Sequence, residues 1–152
     1  MHFGVQPDVV TTAKGLGGGL PIGACLMGEK VESVLGAGDH GSTYGGNPIA
    51  CAGALSVISR LTDAFLAEVK EKSEYVFSAL SGKKGIKSVS GKGLMIGIET
   101  ERAASEIVKE CIARGVLPLT AKTKVRLLPA LNIPMADLKK AVETILVVAA
   151  DF

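Results

Sequence analysis

The stretch Thr11-Thr12-Ala13-Lys14-Gly15-Leu16-Gly17-Gly18-Gly19-Leu20-Pro21-Ile22-Gly23-Ala24 constrains this chain more than any other. Four of the five positions after Lys14 are glycine, which calls for a loop whose backbone can take φ > 0 and approach a ligand closely. Before it, Pro7-Asp8-Val9-Val10-Thr11-Thr12 is a turn followed by a β-branched run, the pattern of a short strand. A single lysine is therefore fixed between a strand end and a glycine loop. Its flexible arm, and a pKa that burial lowers, suit an amine that forms a Schiff base with an aldehyde. A solvated loop lysine is the commoner occupant of such a position, and the stretch alone leaves both readings open.

Two nucleotide-binding readings fail on spacing. A dinucleotide fingerprint counted from Gly15 or Gly17 puts Leu20 or Ile22 where its last glycine belongs, and a P-loop needs its lysine after the glycines. The 19 glycines cluster in 15–53 and form no repeat. Hydrophobic content of 47% is enough for a core, and a net charge of +2 without a lysine/arginine block speaks against nucleic acid. Cys25, Cys51 and Cys111 have no metal-ligand spacing; Cys25 and Cys51, among small apolar neighbours, read as buried free thiols. No leader and no long apolar run is evident, so neither secretion nor membrane insertion is expected and the default compartment is cytoplasmic. Met1-His2-Phe3-Gly4-Val5-Gln6-Pro7 leads into the lysine stretch with no capped first element, the expectation for a piece of something longer.

Along the chain, residues 22–27 read as a buried strand and Glu29–Leu35 as a short helix ended by Gly36 and Gly38. A second glycine-rich loop, Asp39 to Pro48, leads into a helix capped by Asn47, with Pro48 in its first turn and Ala50, Ala52, Gly53 and Ala54 allowing close packing. Ala64–Leu80 is an amphipathic helix whose Glu68 and Lys72 read as part of a solvated face. Beyond it, strands at Ile86–Ser90, Leu94–Glu99, Val116–Thr120 and Lys124–Leu128 alternate with helices at Ala103–Arg114 and Met135–Val148. That alternation is an α/β or α+β lobe, and the boundary between it and the glycine-rich part falls near residue 58.

Within the second loop, Ser42 and Thr43 offer hydroxyls beside glycines, a composition that suits a phosphate or an ordinary polar turn. Arg126 stands in the apolar run Val125-Arg126-Leu127-Leu128-Pro129, where it must reach water or a partner such as a carboxylate.

Thr12 to Ala24, then His40-Gly41-Ser42-Thr43-Tyr44-Gly45-Gly46-Asn47-Pro48, resemble the class III pyridoxal-phosphate-dependent aminotransferases. Gly93-Leu94-Met95-Ile96-Gly97-Ile98-Glu99, Gly115-Val116-Leu117 and Val125 to Leu131 extend the resemblance over essentially the whole chain. It is strongest toward members that act on N-acetylornithine. The resemblance implies an α/β chain forming the C-terminal part of a type I PLP-dependent transferase fold. Residues 1–58 would be the end of the large cofactor-binding domain, and 59–152 a complete small C-terminal domain.

It implies that Lys14 is the lysine that binds pyridoxal 5'-phosphate covalently and moves the substrate proton. Thr43 would hold the cofactor phosphate of the neighbouring subunit, Ser42 would contact substrate, and Arg126 would receive a substrate carboxylate. The reaction would carry an amino group from N-acetylornithine to 2-oxoglutarate, giving glutamate, in a cytoplasmic homodimer serving arginine biosynthesis, with no metal. The larger part of the family's chain precedes the lysine, and its glycine-rich phosphate loop, stacking aromatic and pyridine-binding Asp have no counterpart here; Asp8 does not match that position. The expectation is thus a C-terminal fragment, inactive alone. Ornithine, succinylornithine or 4-aminobutyrate as donor, and a non-catalytic folding or dimerisation module, are the alternatives.

Overall fold

The computed structural model describes residues 3–151, so the reading of Met1 and His2 lies outside the described residues. The chain divides into two compact units, Met1–Thr62 and Asp63–Phe152.

In the first unit, β1 (Val9–Thr12) pairs antiparallel with β2 (Ala24–Met27), Val9 opposite Met27 and Thr12 opposite Ala24. The glycine-rich stretch is thereby the connection between two adjacent strand ends. It opens with one 3-10 turn, Lys14–Gly17, closed by Gly18 at φ 62. β2 was expected to be buried, yet all four of its residues are exposed, because a two-stranded ribbon satisfies a strand's edge without covering its faces. Cys25 lies in β2 and is exposed and Cys51 is only partly buried, which corrects the expectation that both are buried.

Glu29–Leu35 forms a run of turns instead of a helix. Its backbone hydrogen bonds, such as Val31 N to Gly28 O at 2.9 Å and Val34 N to Val31 O at 3.2 Å, are of i→i+3 type apart from Glu32 N to Gly28 O at 3.1 Å. So short a segment beside glycines cannot offset the cost of helix nucleation. α1 (Pro48–Ile58) starts where its cap predicts: Asn47 Oδ1 accepts from Ile49 N at 3.0 Å and Ala50 N at 3.2 Å.

The second unit is a four-stranded antiparallel sheet in the order β3-β4-β6-β5, built from β3 (Ile86–Lys92), β4 (Met95–Thr100), β5 (Leu119–Ala121) and β6 (Lys124–Leu127). α2 (Asp63–Leu80), α3 (Ala104–Ala113) and α4 (Met135–Ala150) pack with it. Period-two alternation sends Ile96 and Ile98 of β4 and Val125 and Leu127 of β6 into the core, where they meet Val76, Leu80, Ile107, Leu138, Val142 and Ile145. Residues 116–118, expected as strand, run outside the sheet. Lys72 is a correction of another kind. Read as part of a solvated face, it is buried, and its Nζ donates to Leu131 O at 3.1 Å while Glu68 stands 4.0 Å away.

Among the described residues, no single helix is long and apolar enough to cross a membrane.

Candidate active site

Lys14 enters the β1–β2 connection with φ 56, one of two non-glycine residues with positive φ among those described. A left-handed lysine is strained on the order of 1 kcal/mol or more, and such strain concentrates at functional positions. The backbone around it is fixed: Leu16 N donates to Ala13 O at 3.2 Å and Gly18 N to Gly15 O at 3.1 Å. The Lys14 side chain itself is exposed and has no hydrogen bond or ion pair among the described residues, so the amine is presented and not consumed.

The loop is seated on α1. A Cβ on Gly53 would lie 2.8 Å from Gly17 O and 3.0 Å from Leu20 Cδ1, so a residue with no side chain is what lets helix and loop meet. The same helix carries the second loop at its N-terminus. There Gly45 N donates to Ser42 O at 3.2 Å and Asn47 N to Tyr44 O at 3.2 Å, making two tight turns that leave Ser42 and Thr43 exposed. The middle of α1 thus anchors the lysine loop and its start anchors the hydroxyl loop. No side-chain hydrogen bond joins Lys14 to Ser42 or Thr43 among the described residues. Asp8 forms a surface ion pair with Lys30 at 3.1 Å, a local structural role.

Arg126 belongs to the second unit. On β6 it alternates with the buried Val125 and Leu127, so its side chain leaves from the sheet face opposite the helices. Its register partners are Gly97 on β4 and Leu119 on β5. Its Nε is fully buried and has no hydrogen-bond acceptor. An orphan guanidinium donor costs about 1–3 kcal/mol, which an incoming anion would offset. Arg126 also borders a groove of about 460 Å³ whose walls include Val116, Leu117, Leu128 and Ile133. The four candidate residues thus fall into two sets: Lys14, Ser42 and Thr43 in the first unit and Arg126 in the second.

The sequence reading missed Lys72, whose Nζ holds Leu131 O in the loop that walls the groove beside Arg126. The signal was present: it stands one helical turn before Val76 and two before Leu80, on the buried stripe of α2. Among the described residues, no group of three or more His, Cys, Asp or Glu is arranged to hold a metal.

The chain matches Aminotransferase class-III over residues 1–148. It is 48% identical over 143 residues to an acetylornithine aminotransferase of Haemophilus ducreyi, covering 93% of this chain and 36% of that protein. Acetylornithine aminotransferase from Elizabethkingia anophelis superposes with a TM-score of 0.85 at 29% identity, over 99% of this chain and 41% of that one. The ornithine aminotransferase of Toxoplasma gondii, solved with partial occupancy of PLP at its active site, gives 0.88 at 29% identity over 98% and 38%. The present chain therefore spans well under half the length of these relatives, and its fold is that of the type I PLP-dependent aminotransferases over the part it covers. On the match across nearly its whole length, the chain belongs to the class-III aminotransferases.

Proposed function

We propose that this chain supplies the lysine-bearing end of the large domain (1–58) and the small C-terminal domain (59–152) of an aminotransferase that moves the amino group of N-acetylornithine to 2-oxoglutarate. The observation that carries the reading is Lys14, an unpaired amine on a left-handed backbone between a strand end and a glycine loop. The same feature supports the fit to pyridoxal 5'-phosphate, which needs an exposed primary amine for its aldehyde. When bound, that cofactor supplies an electron sink for the substrate carbanion.

The chain's own residues then have distinct tasks. Lys14 Nζ is the amine that would hold the cofactor through its aldehyde, and as a free amine it would move the proton at the substrate Cα. Its four-carbon arm gives the reach, while the fixed 3-10 turn holds the Cα still. The Thr43 hydroxyl would help hold the cofactor phosphate of the other subunit of a homodimer, and Ser42 would contact the substrate beside it. The Arg126 fork receives a substrate carboxylate, satisfying its orphan Nε. The setting is cytoplasmic, in arginine biosynthesis. On this reading these 152 residues, which span 36% of the Haemophilus ducreyi protein, do not turn over alone.

Ornithine is the competing donor, favoured by the likeness to the Toxoplasma gondii enzyme; the 48% identity to the Haemophilus ducreyi protein favours N-acetylornithine. The test is a chimaera in which this chain replaces the corresponding segment of the Haemophilus ducreyi protein, assayed with 2-oxoglutarate against N-acetylornithine, ornithine, succinylornithine and 4-aminobutyrate. Turnover best with N-acetylornithine, abolished in Lys14→Ala, is expected. An active Lys14→Ala chimaera overturns the role of the lysine, and a preference for another donor overturns the substrate.

A further inference from the structure

We infer that Lys72 is a positioning residue for the Arg126 site, holding the turn that follows β6 in one of the two states open to it. The inference rests on the reading of Arg126 as a carboxylate receiver.

α2 buries three residues at helical spacing, Lys72, Val76 and Leu80. Val76 and Leu80 belong to the core, and the lysine takes the next place on the same stripe. An ammonium brought there is costly to desolvate unless it is hydrogen-bonded. Its bond goes to Leu131 O at 3.1 Å, while the exposed Glu68 carboxylate stands 4.0 Å away. A charge-assisted bond to a backbone carbonyl 59 residues further along the chain thus replaces water.

The loop that receives this bond is stiff at both ends and soft in the middle. Leu128 and Ile133 each precede a proline, Pro129 and Pro134, which biases both toward extended backbone. Between them Ile133 N donates to Ala130 O at 3.0 Å, closing a four-residue turn with Leu131 and Asn132 at its centre. Such a turn has two forms with the same closing bond, types I and II, which differ by a flip of the central peptide. Type II needs φ > 0 at the third residue, and Asn132 does not have it, so the turn is in the other form. Asparagine nevertheless tolerates φ > 0 better than most residues, which leaves the flip cheap in this sequence. The oxygen that the flip would turn over is Leu131 O, the atom that Lys72 holds.

The flip matters because of what flanks the turn. Leu128, Pro129 and Ile133 wall the groove that Arg126 borders. Turning the central peptide moves these flanking residues relative to each other, and with them the wall against which a carboxylate-bearing substrate would lie. Ser73, the next residue of α2, provides the contrast. Its Oγ donates to Gly93 O at 2.8 Å in the β3–β4 connection, which lies outside the groove wall.

The experiment measures KM and kcat for N-acetylornithine in the chimaera described above. Lys72→Met should raise KM about fivefold and change kcat by less than about twofold, the signature of a lost binding geometry. Ser73→Ala removes a bond from α2 to another connection and should leave KM unchanged. Asn132→Thr added to Lys72→Met should return KM to the parent value, because a β-branched residue resists φ > 0 and blocks the flip without restoring the ammonium. An unchanged KM in Lys72→Met overturns the inference. So does an equal rise in Ser73→Ala, the mark of a general loosening of α2, or a raised KM that Asn132→Thr does not recover. If Lys72→Met does not fold, Asn132→Gly poses the same question with the lysine in place. It makes the flip cheaper and should raise KM about threefold, and an unchanged KM overturns the inference. Arg126→Gln keeps the two readings apart. A raised KM in that variant with an unchanged KM in Lys72→Met leaves the carboxylate reading standing and removes Lys72. An unchanged KM in Arg126→Gln removes the carboxylate reading itself.

Discussion

The two units hold apolar residues to opposite ends. In the second, Ile96, Ile98, Ile107, Val125, Val142 and Ile145 are wholly out of water. In the first, Val9, Val10, Leu26, Met27, Ile49 and Leu55 are exposed, and among its described residues the buried ones are Gly17, Ala50 and Ala54. α1 explains how. It is apolar around most of its circumference, so no single stripe dictates which side is covered, and its small residues are what meet the lysine loop. One unit invests its apolar residues in a self-contained core. The other presents three chemical groups, Lys14, Ser42 and Thr43, on a scaffold held by backbone turns, one cap and one close approach.

The largest test of that contrast is truncation in each unit. Ile98→Ala, at a fully buried position, is expected to cost about 2–5 kcal/mol. Leu26→Ala, at a residue 56% exposed, should change stability by less than about 0.5 kcal/mol. Denaturant unfolding of the chain measures both, and equal losses would erase the distinction. Limited proteolysis gives a second view: cleavage within residues 3–48 should precede any within 86–148, and equal resistance would count against the contrast.

A middle-sized effect belongs to Lys72. Its ammonium holds the Leu131 carbonyl in the loop that follows β6. Lys72→Met keeps most of the packing and removes the donor, so a loss of about 1–3 kcal/mol is expected in the same unfolding experiment. Asn47→Ala comes next, at about 1 kcal/mol, since it strips the acceptor from two amides at the start of α1. Because α1 seats both loops of the first unit, hydrogen exchange at Ile49 and Ala50 should accelerate while the β4 amides stay protected. Acceleration in both would mean that the two units open together.

These residues also mark what the sequence could say. The second unit was legible because each strand and helix carries its own period, and a helix such as Met135–Ala150 writes its buried face at Leu138, Val142 and Ile145. Local chemistry was legible too: Asn47-Pro48 announced a cap and first turn, and Lys14 before its glycines announced a loop at a strand end. Burial was not. Cys25 and β2 have buried-strand composition yet are exposed, because burial depends on what packs against a face and the strand itself cannot encode that. Lys72 failed in the other direction, since its acceptor lies 59 residues away in a loop that no period reveals. For the site, residue types and motifs pointed to Lys14, Ser42, Thr43 and Arg126. The orphan state of Arg126 Nε and the hold of Lys72 on Leu131 O are properties of register and packing, which only coordinates supply.

The smallest effect expected separates surface electrostatics from the core within the second unit. Arg102 donates to the Glu110 carboxylate, pairs with Glu106 at 3.5 Å, and reaches Val148 O at 3.3 Å and Asp151 O at 3.1 Å, so it ties α3 to the end of α4. The hydrogen bond from Arg102, ahead of the charge attraction of Arg102 and Arg114, holds the Glu110 carboxyl below its ordinary value, against a partial desolvation that pushes it up. A carboxyl depressed in the folded state contributes stability above its ordinary pKa and loses it as pH falls through the depressed value. Glu110→Gln should therefore lower stability slightly at neutral pH, and the gap to the parent should close as the solution is acidified below the usual carboxylate range. Added salt should shrink the gap at neutral pH, because the pair is only partly buried and ions still reach it. If the gap persists undiminished in acid, the glutamate acts through its stem packing on α3, and the tie to α4 rests on the two backbone carbonyls that Arg102 reaches.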